Sequence, residues 1–265
     1  MKRLCMTAFF LAAVSASTVF ADTPSVIDIM TRNYELNRTQ DRVIEITMEM
    51  VNRSGKKRIR RLTSTAMLTS DGINEKRLQR FRFPPDVKGT GFLVEERSDG
   101  DDHMWLYLPT LRKSRRKLAS NKKDSFLGTE FSYGDVTGPK VSEYTYELKG
   151  EEEIDGHACY VIQSTPANDE IRKDYGYSRR IDYIRKDNFT HQKILFYDLK
   201  QKLLKTLVCA DPFEADPVNH KWFVKRREMI NHQNGRKTVL QMEEIQINLG
   251  LKDKEFTIRY LERGR

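Results

Sequence analysis

Along the chain, apolar positions recur first at helical spacing and then at every second residue. Val26, Ile27, Met30 and Tyr34 fall on one helical face, with Thr23 placed to cap it and Pro24 suited to its first turn. From Ile44 the period becomes two. Ile44, Ile46, Met48 and Met50 alternate with Glu45, Thr47 and Glu49, the pattern of a half-buried strand. Asn52-Arg53-Ser54-Gly55 predicts a turn, and Lys56–Met67 a basic strand returning beside the first. Further strands are expected over 76–83, 90–97, 103–109, 114–119, 141–148, 157–164, 179–186, 191–199, 202–209, 221–231 and 236–249. Turn chemistry separates them at Ser98-Asp99-Gly100, Asp155-Gly156, Lys186-Asp187-Asn188 and Asn234-Gly235. The last strand moves its apolar face from Leu240 and Met242 to Ile245, Ile247 and Leu249, which predicts a bulge or bend near Glu243–Glu244.

Few residues are left for helices, so the chain reads as mainly β with a few helices, one long antiparallel meander. Most strands carry one apolar and one charged face. A single curved sheet meets that pattern by turning its greasy face inward and its polar face to water. Such a sheet must close, sandwich or be plugged. The opening helix is the natural plug and is too small to fill the inside alone, so a cavity is expected. No internal repeat suggests a solenoid or propeller.

The first residues bear on compartment. Lys2 and Arg3 precede an apolar run from Leu4 to Val14, and Val19-Phe20-Ala21 offers a cleavage site, so residues 1–21 read as a signal peptide cut after Ala21. The run is shorter than the ~20 residues of a spanning helix. Residues 22–265 are then one exported domain, expected in the periplasm. Its formal charge falls from +9 to +7, because Lys2 and Arg3 leave with the peptide. Cys159 and Cys209 remain. An oxidising compartment permits a bridge, but each lies in a strand-like run with other strands between, and two buried thiols is the simpler reading.

Candidate chemistry concentrates between Asp101 and Asp135. Met104-Trp105-Leu106-Tyr107-Leu108 is apolar on both faces, either a core strand covered twice or one whose Trp105 and Tyr107 face lines a lipid-sized pocket. Arg112, Lys113, Arg115, Arg116 and Lys117, with Lys122 and Lys123, form a dense basic cluster. It is a solvated strand face, or a surface for phosphate head groups or an acidic partner. The segment 124–135 carries Phe126, Leu127, Phe131 and Tyr133 between Gly128 and Gly134, and either tucks onto the core or covers a pocket. Nucleic-acid motifs are lacking. So are a nucleophile elbow, a zinc-binding helix, a phosphate loop and a Cys-x-x-Cys pair, and no catalytic group, cofactor or metal is expected. Asp99, Asp101, Asp102 and His103 cluster, yet Asp99-Gly100 is ordinary hairpin chemistry. His157, His191, His220 and His232 lie singly near strand ends without a consistent acidic partner.

These blocks carry a family resemblance. Met104–Pro109, then Leu111-Arg112-Lys113 with Arg115-Arg116, then Ser125-Phe126-Leu127-Gly128-Thr129 with Phe131-Ser132-Tyr133, resemble the signature of the bacterial outer-membrane lipoprotein-sorting protein family, LolA/LolB-like. Tyr197-Asp198 with Lys202–Leu207, and Phe256-Thr257 with Arg259–Arg263, extend the likeness over the mature chain. The resemblance implies an unclosed β-barrel, a strongly curved antiparallel sheet whose apolar concave face is covered by helices and loops. It also implies a carrier of lipid or lipoprotein acyl chains toward the outer membrane, without catalysis. Met48, Met50, Trp105, Tyr107, Phe126, Phe131 and Tyr133 are then expected at the cavity and its cover, with Arg112, Lys113, Arg115 and Arg116 at its rim. Partners would be acyl chains, transient membrane contact and an outer-membrane acceptor, with no nucleic acid. The alternative is an accessory subunit docking on an RND/MMPL-type inner-membrane transporter through the basic hairpin.

Overall fold

The computed structural model describes residues 24–263. The signal-peptide and Thr23 expectations lie outside that range. Helix α1 (Val26–Glu35) is capped by Ser25, whose hydroxyl accepts from the Asp28 N–H at 3.1 Å while the Asp28 carboxylate returns the bond. Pro24 therefore precedes the cap and does not enter the first turn. Ile27 is also corrected: Ile29 and Met30 are the buried residues of this helix, and Ile27 points outward.

Strands follow as β1 (Asp41–Val51), β2 (Lys57–Leu68), β3 (Glu75–Phe83), β4 (Gly91–Glu95), β5 (His103–Leu108) and β6 (Lys113–Lys117). After a long link containing helix α2 (Tyr133–Thr137) come β7 (Tyr144–Ile154) and β8 (His157–Pro166). Helix α3 (Asp169–Tyr175) leads to β9 (Tyr177–Arg185), β10 (His191–Asp198), β11 (Leu203–Asp216), β12 (Lys221–Asn231) and β13 (Arg236–Ile247), and helix α4 (Ile258–Arg263) ends the described chain. The expected strand 141–148 is displaced. It runs on to Ile154 through Gly150 and three glutamates, because pairing with β8 sustains a segment whose own pattern is polar.

Among the described residues, thirteen strands form one antiparallel sheet in the order β6-β5-β4-β3-β2-β1-β13-β12-β11-β10-β9-β8-β7. The barrel is unclosed: β6 and β7 are free edges, and the chain joins them through residues 118–143. The aromatic segment of this link runs across the inside of the curved sheet, where Phe126 and Tyr133 join Phe81 and Phe92. The bend expected near Glu243 is present as a register break, where Glu45 pairs with Glu244 but Ile46 with Met242.

Register separates the two faces. Ile44, Ser64, Gln79, Phe92, Leu106 and Arg115 oppose one another in turn from β1 to β6 on the concave face. Thr65, Leu78, Leu93, Trp105 and Arg116 form a convex row from β2 to β6. On the concave side Phe126 and Tyr133 of the crossing segment pack with Phe81 and Phe92, at ring-centroid distances of 5.2 to 6.2 Å. Each such pair is worth about 0.5–1.5 kcal/mol beyond its buried area. α1 covers the other end, setting Ile29 and Met30 on Tyr160, Ile162 and Ile184.

Candidate functional site

Between α1, the crossing segment and the concave sheet lies a cavity of about 350 Å³. Its apolar wall comes from alternating positions of several strands: Ile44 and Ile46, Ile194, Leu207, Met229 and Met242. Each strand contributes one or two side chains because alternate residues face inward. The crossing segment closes the cavity with Phe131 and Val136. It is held down by Lys205, buried on β11, whose ammonium donates to the Glu130 carbonyl at 2.9 Å and reaches Asp135 at 3.2 Å and Tyr177 at 2.9 Å. Burial opposes the charge on Lys205, yet Asp135 and Tyr177 raise its pKa.

The same wall carries charge, nearly all of it paired. Arg42 donates to both oxygens of Glu75 at 2.5 and 3.0 Å, and Arg77 approaches that carboxylate at 3.2 Å. Arg77 also donates to the Val136 and Thr137 carbonyls, tying the cover to the sheet. Arg38 pairs with Glu96 at 2.9 Å, and Tyr34 of α1 donates to the same carboxylate. Burial works against the Glu75 anion, but the surrounding arginines hold its carboxyl below the usual range. Among the described residues, Gln79 Oε1 and the Nε atoms of Arg38, Arg77 and Arg180 are buried at this wall without a hydrogen-bond partner.

Ser164, Asp182 and His191 meet on β8, β9 and β10, so His191 does have an acidic partner, contrary to the sequence expectation. The arrangement is not that of an activated nucleophile. Ser164 donates to Asp182 at 2.5 Å and the His191 ring lies 3.1 Å from the other carboxylate oxygen, so no base faces the hydroxyl. Burial opposes ionisation of Asp182, while Arg180 and His191 lower its pKa. Cys159 and Cys209 are free and buried, and burial pushes the Cys209 thiol up to about 11, away from reactivity.

The residues expected at the cavity divide. Phe131 lines it. Met48, Phe126 and Tyr133 form a filled cluster beside it, so the segment 124–135 is tucked into the core. Met50 borders that cluster and faces a different opening. Trp105 and Tyr107 are corrected outright: their positions face the convex side, where they pack with Leu78, Leu93, Phe256 and Leu261 beneath the C-terminal segment. Either face of an apolar strand could have been the inner one, and the covering residues lie far along the chain.

Of the basic run, Lys113, Arg115 and Arg116 lie exposed on the edge strand β6, and Arg112 holds the left-handed turn before it. Charge on a free edge discourages another strand from pairing there. Lys122 leaves the cluster, buried against Glu143 at 2.9 Å. Asp102 is likewise structural, buried and paired with Lys140 at 2.9 Å beside the expected turn. Missed were Ile194, Leu207, Met229 and Met242, whose alternation was visible but whose convergence depends on sheet order.

An open antiparallel sheet wrapped around a covered apolar trough defines the structural class. Residues 73–263 match a family model described as "-like: Uncharacterized protein". A DUF1329 family protein from Desulfovibrio piger is 32% identical over 89% of this chain and 97% of its own, with a TM-score of 0.82. An outer-membrane lipoprotein-sorting protein domain from Vibrio parahaemolyticus is 28% identical, covering 89% and 98%, also at 0.82. A LolA superfamily protein from Nitrosomonas europaea, 19% identical over 90% of this chain and 100% of its own, shares the fold at 0.68. Among curated proteins none matches. The chain belongs to the DUF1329 family, and it shares its fold with the LolA superfamily protein.

Proposed function

We propose that the protein is a periplasmic carrier that holds acyl chains of a lipid or lipoprotein in the covered trough and transfers them toward the outer membrane, without catalysis. The observation that carries this reading is the cavity between α1, the crossing segment and the concave sheet, whose wall joins apolar strand positions to paired charges. Its volume is at the lower end of the ~300–1,000 Å³ typical of small-molecule pockets. Burying an acyl chain gains ~0.8 kcal/mol per methylene, so such a wall binds lipid without a chemical motif. The relatives from Vibrio and Nitrosomonas support the same reading through their sorting-protein and LolA names. Residues 1–21 would act as the cleaved signal peptide and 22–265 as the lipid-binding domain. No helix among the described residues is long and apolar enough to cross a membrane.

Of the residues named from sequence, Phe131 is proposed as a wall contact, and Met48, Phe126 and Tyr133 as the packed support of the cover. A second reading rests on the exposed cations of β6: an accessory subunit that docks on an RND/MMPL-type transporter through Arg112, Lys113, Arg115 and Arg116.

Native mass spectrometry of the exported, detergent-free protein separates the two. A stoichiometric lipid adduct is expected, and Ile46→Trp with Leu207→Trp should lower its occupancy several-fold by filling the space. Overpacking of this kind costs about 1–3 kcal/mol of stability, so a thermal melt accompanies the measurement. A clean unliganded mass that persists after incubation with membrane lipids would sink the carrier reading and favour docking.

A further inference from the structure

A second opening, of about 710 Å³, lies on the concave side at the other end of β1. Its floor is apolar, made by Met50, Val51 and Leu127. Its rim is cationic: Arg53, Lys56, Arg58 and Arg60 from the β1–β2 hairpin, with Arg236 and Lys237 from β13. Register explains the change of character. Met50 opposes Arg58 and Met48 opposes Arg60, so the inward positions of β2 that bear Leu62 and Ser64 deeper in the trough bear arginines at its mouth. The Arg53 stem lies against Gly235, where an added Cβ would meet Arg53 Cγ at 3.4 Å, so the hairpin leans over the β12–β13 turn.

Most of these cations lack an acidic partner. Arg236 pairs with Glu130 at 3.1 Å and Lys237 with Glu228 at 2.9 Å. Arg60 donates to the Leu127 carbonyl at 2.7 Å and stacks over Phe81. Arg53, Lys56 and Arg58 make no side-chain hydrogen bond or ion pair among the described residues, so the crevice holds a surplus of positive charge over a greasy floor. Like charges gathered this closely repel one another, and an anion brought among them is bound by charge-assisted hydrogen bonds.

We propose that this crevice is a binding site for the phosphate-bearing head group of an anionic lipid, with the glycerol and first methylenes resting on Met50, Val51 and Leu127. The inference rests on the carrier reading and narrows its cargo to amphiphiles whose phosphate-bearing head group carries net negative charge. The site is distinct from the basic edge strand β6, which was the only head-group candidate legible in the sequence.

The test is calorimetric titration of the full exported chain, purified without detergent. The probes are dihexanoyl phosphatidylglycerol, dihexanoyl phosphatidylcholine and glycerol 3-phosphate. Phosphatidylglycerol is expected to bind more tightly than phosphatidylcholine. A triple variant, Arg53→Gln with Lys56→Gln and Arg58→Gln, removes no native hydrogen bond made by these side chains. It should weaken phosphatidylglycerol roughly tenfold or more and leave phosphatidylcholine unchanged. A control removing the same charge from exposed sites, Lys173→Gln with Lys200→Gln and Lys202→Gln, should bind as the native chain does.

Equal affinity for the two lipids, or an equal loss in the control, would overturn the head-group site while leaving lipid carriage standing. Glycerol 3-phosphate binding as tightly as phosphatidylglycerol would overturn the lipid source in favour of a soluble phosphate ester. Binding of neither lipid would overturn the carrier reading itself, and this inference with it.

Discussion

The two ends of the trough both draw on β2, β1 and β13, with β3 added under α1, yet they handle charge in opposite ways. Under α1, Arg42, Arg77 and Glu75 form a buried cluster, and Arg38, Glu96 and Tyr34 another. At the mouth, Arg53, Lys56 and Arg58 form no ion pair among the described residues. A buried charge costs several kcal/mol unless it is paired, so partners under α1 are a condition of folding. An exposed charge carries no such condition. Unpaired cations at the mouth are therefore free to serve a ligand, and the contrast separates what holds the trough from what it offers.

The largest effect should come from breaking a pair. Glu75→Gln leaves Arg42 and Arg77 charged and buried in a wall that has lost its anion. The expected loss is about 3–5 kcal/mol in a urea unfolding experiment. A cost below about 1 kcal/mol would mean that water or rearrangement satisfies these arginines, and the division between the two ends would collapse.

A smaller, graded effect should follow from acid. The Glu75 and Asp182 carboxyls are held below their ordinary range by arginine and histidine partners that outweigh burial. A carboxyl depressed in the folded state adds stability above its unfolded pKa, near 4. That contribution fades as pH falls through the lower folded value. Stability should therefore drop on acidification below about 4. Trp222, which lines the cavity and donates its backbone N–H to Leu36, should report the opening of this end by a red shift in emission. Substitutions at the mouth leave Glu75, Asp182 and their partners untouched, so a mouth variant should keep the native profile. An unchanged stability through the whole carboxylate range would refute the assignment.

How much of this was legible beforehand depends on which residues had to meet. Alternation and turn chemistry located most strands of the sheet, though not the true extent of β7, and the shift from Met242 to Ile245 located the bulge, because these signals are written in neighbouring residues. The inner face of β5 was not. Met104 and Leu106 are as apolar as Trp105 and Tyr107, and the choice between them was made by Phe256 and Leu261, more than a hundred positions later. The mouth was hidden for a similar reason. Arg58 and Arg60 read as the polar face of a basic strand, whereas pairing to Met50 and Met48 turns them inward. The run at 112–117 drew attention by density alone, although its place on a free edge gives it a simpler role in keeping strands apart.

The smallest expected effect is the most pointed check on the mouth. Arg58→Gln removes a cation with no carboxylate partner from beside Arg60, whose guanidinium pKa is lowered by burial and, to a lesser extent, by the neighbouring Arg58 charge. Removing one of two like charges should relieve repulsion. Stability should rise by no more than about 0.5 kcal/mol, and the gain should shrink as salt screens the pair. A loss greater than about 1 kcal/mol would give Arg58 a structural partner and return the mouth to the same category as the wall under α1. A neutral or slightly stabilising result, in a variant whose anionic-lipid affinity has fallen, would separate ligand binding from folding at one side chain.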